Sequence, residues 1–253
     1  MSMKNVFAAA LCGLALASCS GGGGGSTGSP LPSTPQAPQP MPTSTTYVAL
    51  GDSVTYGDFA DDPQTQGYAT RVASVFHLKL DDLAIPGAGT FAVISRELPN
   101  MPQAPAAITL FIGYNNVAAL APQSATSVVG DPTSTEAQYA SDMNQIANTL
   151  RLTGSQVYIA TVPNIANLAP WTTKSQDVRQ TLSDVTKSMN ETIMKLGLPV
   201  VDLRCDPGMY DPSNYYNGVH PNTQGHAYLA GLFFKAMTGQ IPVQSSCKYD
   251  NPV

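Results

Sequence analysis

Beyond residue 45 the chain alternates between short runs that are apolar nearly throughout and longer runs in which apolar residues recur every three or four positions. The short runs are TYVALG (46–51), KLDDLAI (79–85), AAITLFIG (106–113), QVYIATV (156–162) and LPVVDL (198–203). Their lengths, and the Gly or Pro bounding several of them, predict five strands. Tyr68, Val72 and Val75 recur at helical spacing, as do Tyr139, Met143, Ile146 and Leu150 behind a Thr133-x-x-Glu136 capping box. Val178, Leu182, Val185, Met189, Ile193 and Leu196 mark a long amphipathic helix stopped at Gly197, and a final helix is predicted over 223–237. This alternation predicts an α/β fold, a five-stranded parallel sheet with helices on both faces, that is, a three-layer α/β/α sandwich. Ligands of such sheets bind beyond the C-terminal strand ends. The positions to watch are then 51–53, 86–87, 113–116 and 162–173, with His220 beyond the last strand.

The first 45 residues follow a different pattern. Residues 1–18 hold one cation, Lys4, and an apolar run from Val6 to Ala17, too short for a stable membrane span. This predicts a secretory signal peptide. Its end, Leu16-Ala17-Ser18-Cys19, resembles a bacterial lipobox, which implies cleavage before Cys19 and lipid on its sulfur. Residues 20–45 are Gly-rich, then rich in Pro, Ser and Thr, with no charge, so residues 19–45 are expected to form a disordered tether. Its reach is on the order of 50–80 Å. Residues 46–253 remain as one domain, expected to be a monomer held by its lipid at a membrane of the bacterial cell envelope, facing the periplasm or the exterior.

Charge and cysteines narrow the chemistry. The net charge is −5 without a basic run, which argues against nucleic-acid partners. No His/Cys group has metal-ligand spacing, so no metal is expected. With Cys12 in the signal and Cys19 lipidated, Cys205 and Cys247 are left, and an oxidising envelope predicts a disulfide between them.

Ser53 follows the first predicted strand. As a nucleophile it would need a base and donors for the oxyanion formed on attack; as a plain serine it would cap a helix. Donors stand at the neighbouring strand ends, the backbone N–H of Gly87 and the side-chain amide of Asn115. A turn glycine and a helix cap are the plainer roles for these two. Three histidines could act as base. His77 ends a helix and His226 lies within one, whereas His220 sits in a turn at the catalytic edge.

Together these blocks resemble the SGNH (GDSL-type) hydrolases. GDSVTYG (51–57) is similar to the nucleophile block, IPGAGT (85–90) to the glycine block, GYNN (113–116) to the Gly-x-Asn-Asp block and NGVHPN (217–222) to the Asp-x-x-His-Pro block. The resemblance implies a flavodoxin-like fold and cofactor-free hydrolysis of carboxylic esters of small acyl groups, lipids or O-acylated glycans. It implies Ser53 as nucleophile, His220 as base, and the Ser53 N–H, Gly87 and Asn115 as oxyanion donors. Two family aspartates are amides in this chain, Asn116 and, at the triad acid, Asn217. An amide oxygen accepts the Nδ1–H of a histidine but stabilises an imidazolium poorly. Three arrangements stay open: Asn217 orients His220; Asp206, Asp211 or a backbone carbonyl replaces it; or the site binds acyl or acetylated-glycan ligands without turnover. Ile165, Leu168 and Trp171, after the fourth strand, are candidates for an apolar lip over an acyl chain or for packing their loop down.

Overall fold

The computed structural model describes residues 44–240 and 242–252. The predicted signal peptide, Cys19 and nearly all of the tether lie outside the described residues. The strands are β1 (Thr46–Gly51), β2 (Lys79–Asp82), β3 (Ala107–Phe111), β4 (Gln156–Ala160) and β5 (Val200–Val201). They form a parallel sheet in the order β2-β1-β3-β4-β5. This is the flavodoxin-like order, and its switch point lies between β1 and β3.

The helices are α1 (Ser53–Tyr56), α2 (Pro63–Gln66), α3 (Tyr68–Val75), α4 (Thr90–Ala92), α5 (Tyr114–Ala118), α6 (Pro132–Arg151), α7 (Ala169–Thr172), α8 (Gln176–Lys195) and α9 (Thr223–Met237). Side chains of a strand alternate between its faces, and this divides the core in two. Val48, Leu50, Ile108 and Leu110 pack with Met143 and Ile146 of α6 and Leu182 and Val185 of α8. Tyr47, Ala49, Ala107 and Phe111 pack with Tyr68 and Val72 of α3 and Leu229 and Phe233 of α9. The three predicted layers are present, with the central strands buried on both faces as parallel sheets require.

Several boundaries differ from the sequence expectation. Helix α6 begins earlier than the Thr133 box, because Asp131 caps it through the Thr133 N–H at 3.1 Å and Pro132 occupies the first turn, where its missing N–H costs nothing. Strands β2 and β5 are shorter than their apolar runs, since each is an edge with a single neighbour. The C-terminal tail folds back onto the domain. There Arg204 pairs with Asp202 and, at 3.0 Å, with Asp250, while Tyr249 stacks on Tyr210.

Cys205 and Cys247 depart from the disulfide expectation. Both are free thiols, and the Cys247 thiol donates to the carbonyl of Arg204, the residue before Cys205, at 3.5 Å. Folding back of the tail supplies the proximity; the covalent step is absent.

One polar pair lies inside the second core: the Tyr47 hydroxyl and Thr109 Oγ1 meet at 2.6 Å, both fully buried. Thr109→Val keeps the shape but orphans the phenol. It is expected to lower unfolding free energy by about 1–3 kcal/mol in urea denaturation. An unchanged midpoint would show that the pair contributes nothing.

Candidate active site

Strand β1 delivers the candidate nucleophile, Ser53. Gly51, its last residue, has φ +152°, and a Cβ there would lie 2.3 Å from Thr55 Oγ1 and 2.4 Å from the Phe111 carbonyl oxygen. Only glycine fits so sharp a passage from strand to helix. Asp52 caps α1 by accepting the Val54 N–H at 3.0 Å, and Ser53 is the first residue of that helix. Its N–H therefore belongs to the donors a helix start leaves unpaired.

His220 comes from the other end of the chain. The segment before α9 doubles back: the Tyr216 N–H donates to the His220 carbonyl at 2.9 Å, and Tyr215 bridges to Pro221. Asn222 then caps α9 through the Gly225 N–H at 2.9 Å. This turn sets His220 Nε2 2.9 Å from Ser53 Oγ. Burial lowers the His220 pKa below its ordinary value, and the Asp58 charge opposes this in part.

Asn217 lies beside His220 but is turned with a purpose of its own. Its Oδ1 accepts the backbone N–H groups of Val219 at 3.1 Å and His220 at 2.9 Å, closing an Asx turn. Those two bonds fix which end of the amide is oxygen. His220 Nδ1 then stands 3.1 Å from Asn217 Nδ2 and 3.3 Å from Oδ1. The other acids proposed from the sequence are engaged elsewhere. Asp206 accepts from Tyr228 and Gly208, and Asp211 accepts from Ser213. Among the described residues, Asn217 alone partners Nδ1.

The candidate oxyanion donors converge on the same strand ends. Pro86 and Gly87 form a tight turn closed by the Ala88 N–H on the Ile85 carbonyl at 2.9 Å. Gly87 has φ +78°, as a type II turn demands at that position. Asn115 Nδ2 donates to the Ala88 carbonyl at 2.8 Å and lies 3.4 Å from Asp52 Oδ2. One side chain thus touches the sequence neighbours of both Gly87 and Ser53. Asn116 brackets Thr90, accepting its N–H at 3.3 Å and donating to its Oγ1 at 3.1 Å, a structural role.

Of the two roles open to the loop after β4, packing is the one observed. Ile165 and Trp171 lie in the core, because Trp171 Nε1–H finds the Ala121 carbonyl at 2.9 Å and the ring packs edge-on against Tyr114. Leu168 is also buried but does line a cavity of about 20 Å³ beside the site. Asp52 and Val54, which flank Ser53, and Val219 and Pro221, which flank His220, line it as well, with Tyr114. Most of the lining residues are apolar, and the hydroxyl of Tyr114 has no hydrogen-bond partner among the described residues. His226 is fully buried in α9, and its Nε2 meets the Asp58 carbonyl at 3.1 Å.

Two carboxyls lie at the site, Asp52 within the nucleophile block and Glu97, which carries no signal in the sequence. Asp52 is buried beside the nucleophile, and burial pushes its pKa up to about 7. Glu97 ends a π-helical turn, Val93–Glu97, and accepts the Gly51 N–H at 2.9 Å through Oε2, while Oε1 has no partner among the described residues. Burial first, then the charges of Asp52 and Asp82, push Glu97 up to about 8. A lone Glu within an amphipathic stretch reads as surface; only the tertiary fold reveals its burial.

The family model described as "GDSL-like Lipase/Acylhydrolase family" matches residues 49–228. Among solved structures, an extracellular lipase from Streptomyces rimosus superposes with a TM-score of 0.62 at 18% identity, covering 76% of this chain and 100% of that one. Phospholipase A1 from Streptomyces albidoflavus gives 0.56 at 17% identity, covering 79% and 100%. An acetylxylan esterase from Geobacillus stearothermophilus gives 0.56 at 15% identity, covering 80% and 97%. At these identities the likeness is one of fold. No curated protein sequence matches the chain.

The state of Glu97 yields a prediction. Its folded pKa of about 8 exceeds its ordinary 4.5, so its contribution to stability is full below 4.5 and lost as pH rises through 8. Asp52, raised to about 7, has the same sign. The wild-type Tm is therefore expected to fall between about pH 5 and pH 9, and Glu97→Gln, which keeps an acceptor for Gly51, to fall less. Equal declines in the two proteins would show that Glu97 is not held neutral.

Proposed function

This chain belongs to the GDSL-like lipase/acylhydrolase family, and from that premise we propose that it is a serine esterase with Ser53 as nucleophile and His220 as general base. The observation that carries this is the 2.9 Å contact between Ser53 Oγ and His220 Nε2. In the proposed reaction Ser53 Oγ attacks the ester carbonyl while its proton passes to His220 Nε2. The oxyanion forms beside the Ser53 and Gly87 N–H groups and Asn115 Nδ2. His220 then hands the proton to the leaving alkoxide, and water, activated by the same histidine, cleaves the acyl-enzyme.

The ester we favour carries a short acyl group, because a cavity of about 20 Å³ holds little more than one water-sized body as it stands. The similar structures include a lipase, a phospholipase and an acetylxylan esterase, so lipids and O-acylated glycans both belong in the substrate screen. A signal peptide over 1–18, lipid at Cys19 and a tether to residue 45 are proposed to hold a monomeric domain at the bacterial envelope, on the strength of the sequence.

One observation favours a second reading. Asn217 presents its NH₂ group 3.1 Å from His220 Nδ1. A donor there selects the tautomer that carries its proton on Nε2, which is the wrong one for a base. A weakened enzyme, or a binder of acyl or acetylated-glycan ligands, would follow.

Hydrolysis of p-nitrophenyl acetate by wild type, Ser53→Ala and Asn217→Asp separates the two. The esterase predicts measurable wild-type turnover, abolished in Ser53→Ala, and a kcat raised about tenfold or more in Asn217→Asp. Wild-type rates equal to those of Ser53→Ala would reject it, and recovery in Asn217→Asp alone would select the binder.

A further inference from the structure

Three rings gather at the mouth of the site. Phe59 lies 4.7 Å, centroid to centroid, from the His220 imidazole at an interplanar angle of 38°. It also stacks on Tyr216 at 4.8 Å and 24°. Two properties of Phe59 are hard to account for by folding alone. Its backbone has φ +67°, a conformation that bulky residues rarely adopt and that glycine would hold without strain. It is also 43% exposed, so its ring gains little from burial. The backbone around it is firmly held. The Asp58 N–H donates to the Ser53 carbonyl at 3.0 Å, the Ala60 N–H to Gly57 at 3.1 Å, and the Asp58 carbonyl receives His226. A strained, exposed aromatic is thereby fixed against the histidine beside the nucleophile, and strain of this kind concentrates at functional sites.

What His220 lacks is an acid on Nδ1. When Ser53 Oγ bonds to the carbonyl carbon, the carbonyl π pair moves onto oxygen and the Ser53 proton moves to Nε2, leaving an imidazolium. That cation persists until the alkoxide departs with the proton. The Nδ1 side offers only the neutral Asn217. The charged or titratable groups acting on the ring are Asp58, which favours the cation, and His226 of α9, which opposes it. An aromatic face within about 6 Å of a cation attracts it through the ring quadrupole, and the Phe59 ring meets that distance.

We propose that Phe59 is a positioning residue that orients the His220 ring and stabilises its imidazolium, taking over part of the work that an acid at position 217 would do. Tyr216, 69% exposed, backs Phe59 and keeps it in the stack. The proposal rests on the role of His220 as base, but the cation itself forms on acidification whether or not the protein turns over ester.

NMR titration of His220 in the full chain tests it, with Phe59→Leu and Phe59→Trp, alongside p-nitrophenyl acetate kinetics. Leucine keeps apolar cover over the imidazole and removes the π face. Phe59→Leu is expected to lower the His220 midpoint by about 0.5–1 pH unit and kcat about fivefold with KM unchanged, and Phe59→Trp to restore both. If Phe59 merely shielded the ring from water, Phe59→Leu would leave the midpoint in place or raise it, and that result overturns the proposal. Should Phe59→Leu prove unfolded, Phe59→Trp still decides: a midpoint at or above that of wild type supports the proposal, and a fall overturns it. A midpoint that moves as expected in a protein without esterase activity supports the ring interaction and rejects the proposed function instead.

Discussion

The contact between Ser53 Oγ and His220 Nε2, at 2.9 Å, joins residues 167 positions apart, and much of the fold can be understood as holding its two ends. On one side β1 is buried almost along its whole length and ends in a glycine that nothing larger could replace. On the other, the doubled-back turn before α9 is locked by its own backbone bonds and by the Asn222 cap. The two halves are coupled through α3. Thr55 of α1 meets the Tyr68 hydroxyl at 3.0 Å, and the Tyr68 ring stacks on Phe233 of α9 at 4.7 Å. Ser53 and His220 are thus held together by packed elements and a locked turn.

The electrostatics of the site are lopsided. Two carboxyls lie buried on the nucleophile side, and desolvation holds both toward their neutral forms. Glu97 serves the backbone of Gly51, and Asp52 serves the start of α1, so both shape the strand-to-helix passage. The histidine side, where an acid would stabilise a cation, has an amide that spends its oxygen on the turn. This separation leaves His220 well placed and poorly supported in charge. The charge of Asp58 and the aromatic stack on the ring are the features that compensate locally.

Much of this was legible in the residues. Short apolar runs such as AITLF, alternating with helical repeats such as Leu182, Val185, Met189 and Ile193, announce a parallel sheet between helices, because runs this short and apolar suit strands buried on both faces. The strand-end rule then pointed to Gly51–Ser53, Gly87 and Asn115 before any distance was known. What stayed hidden depends on tertiary contacts. Trp171 and Ile165 look like a substrate lip in a loop after a strand, and only the Ala121 carbonyl and the core beneath explain why they fold inward. Phe59 and Glu97 gave no signal, since a positive φ and a buried carboxylate are properties of the fold and not of a residue pattern. The orientation of the Asn217 amide was equally out of reach, set as it is by two backbone N–H groups.

The central claim is that Ser53 is a nucleophile activated by His220, and covalent labelling addresses it without knowledge of the natural ester. The full chain, and the same chain carrying His220→Ala, would be treated with a fluorophosphonate and mapped by peptide mass spectrometry. A single adduct on Ser53, formed far more slowly when His220 is replaced, is the result expected. No adduct, an adduct on another residue, or labelling of Ser53 at the same rate without His220 would contradict the account.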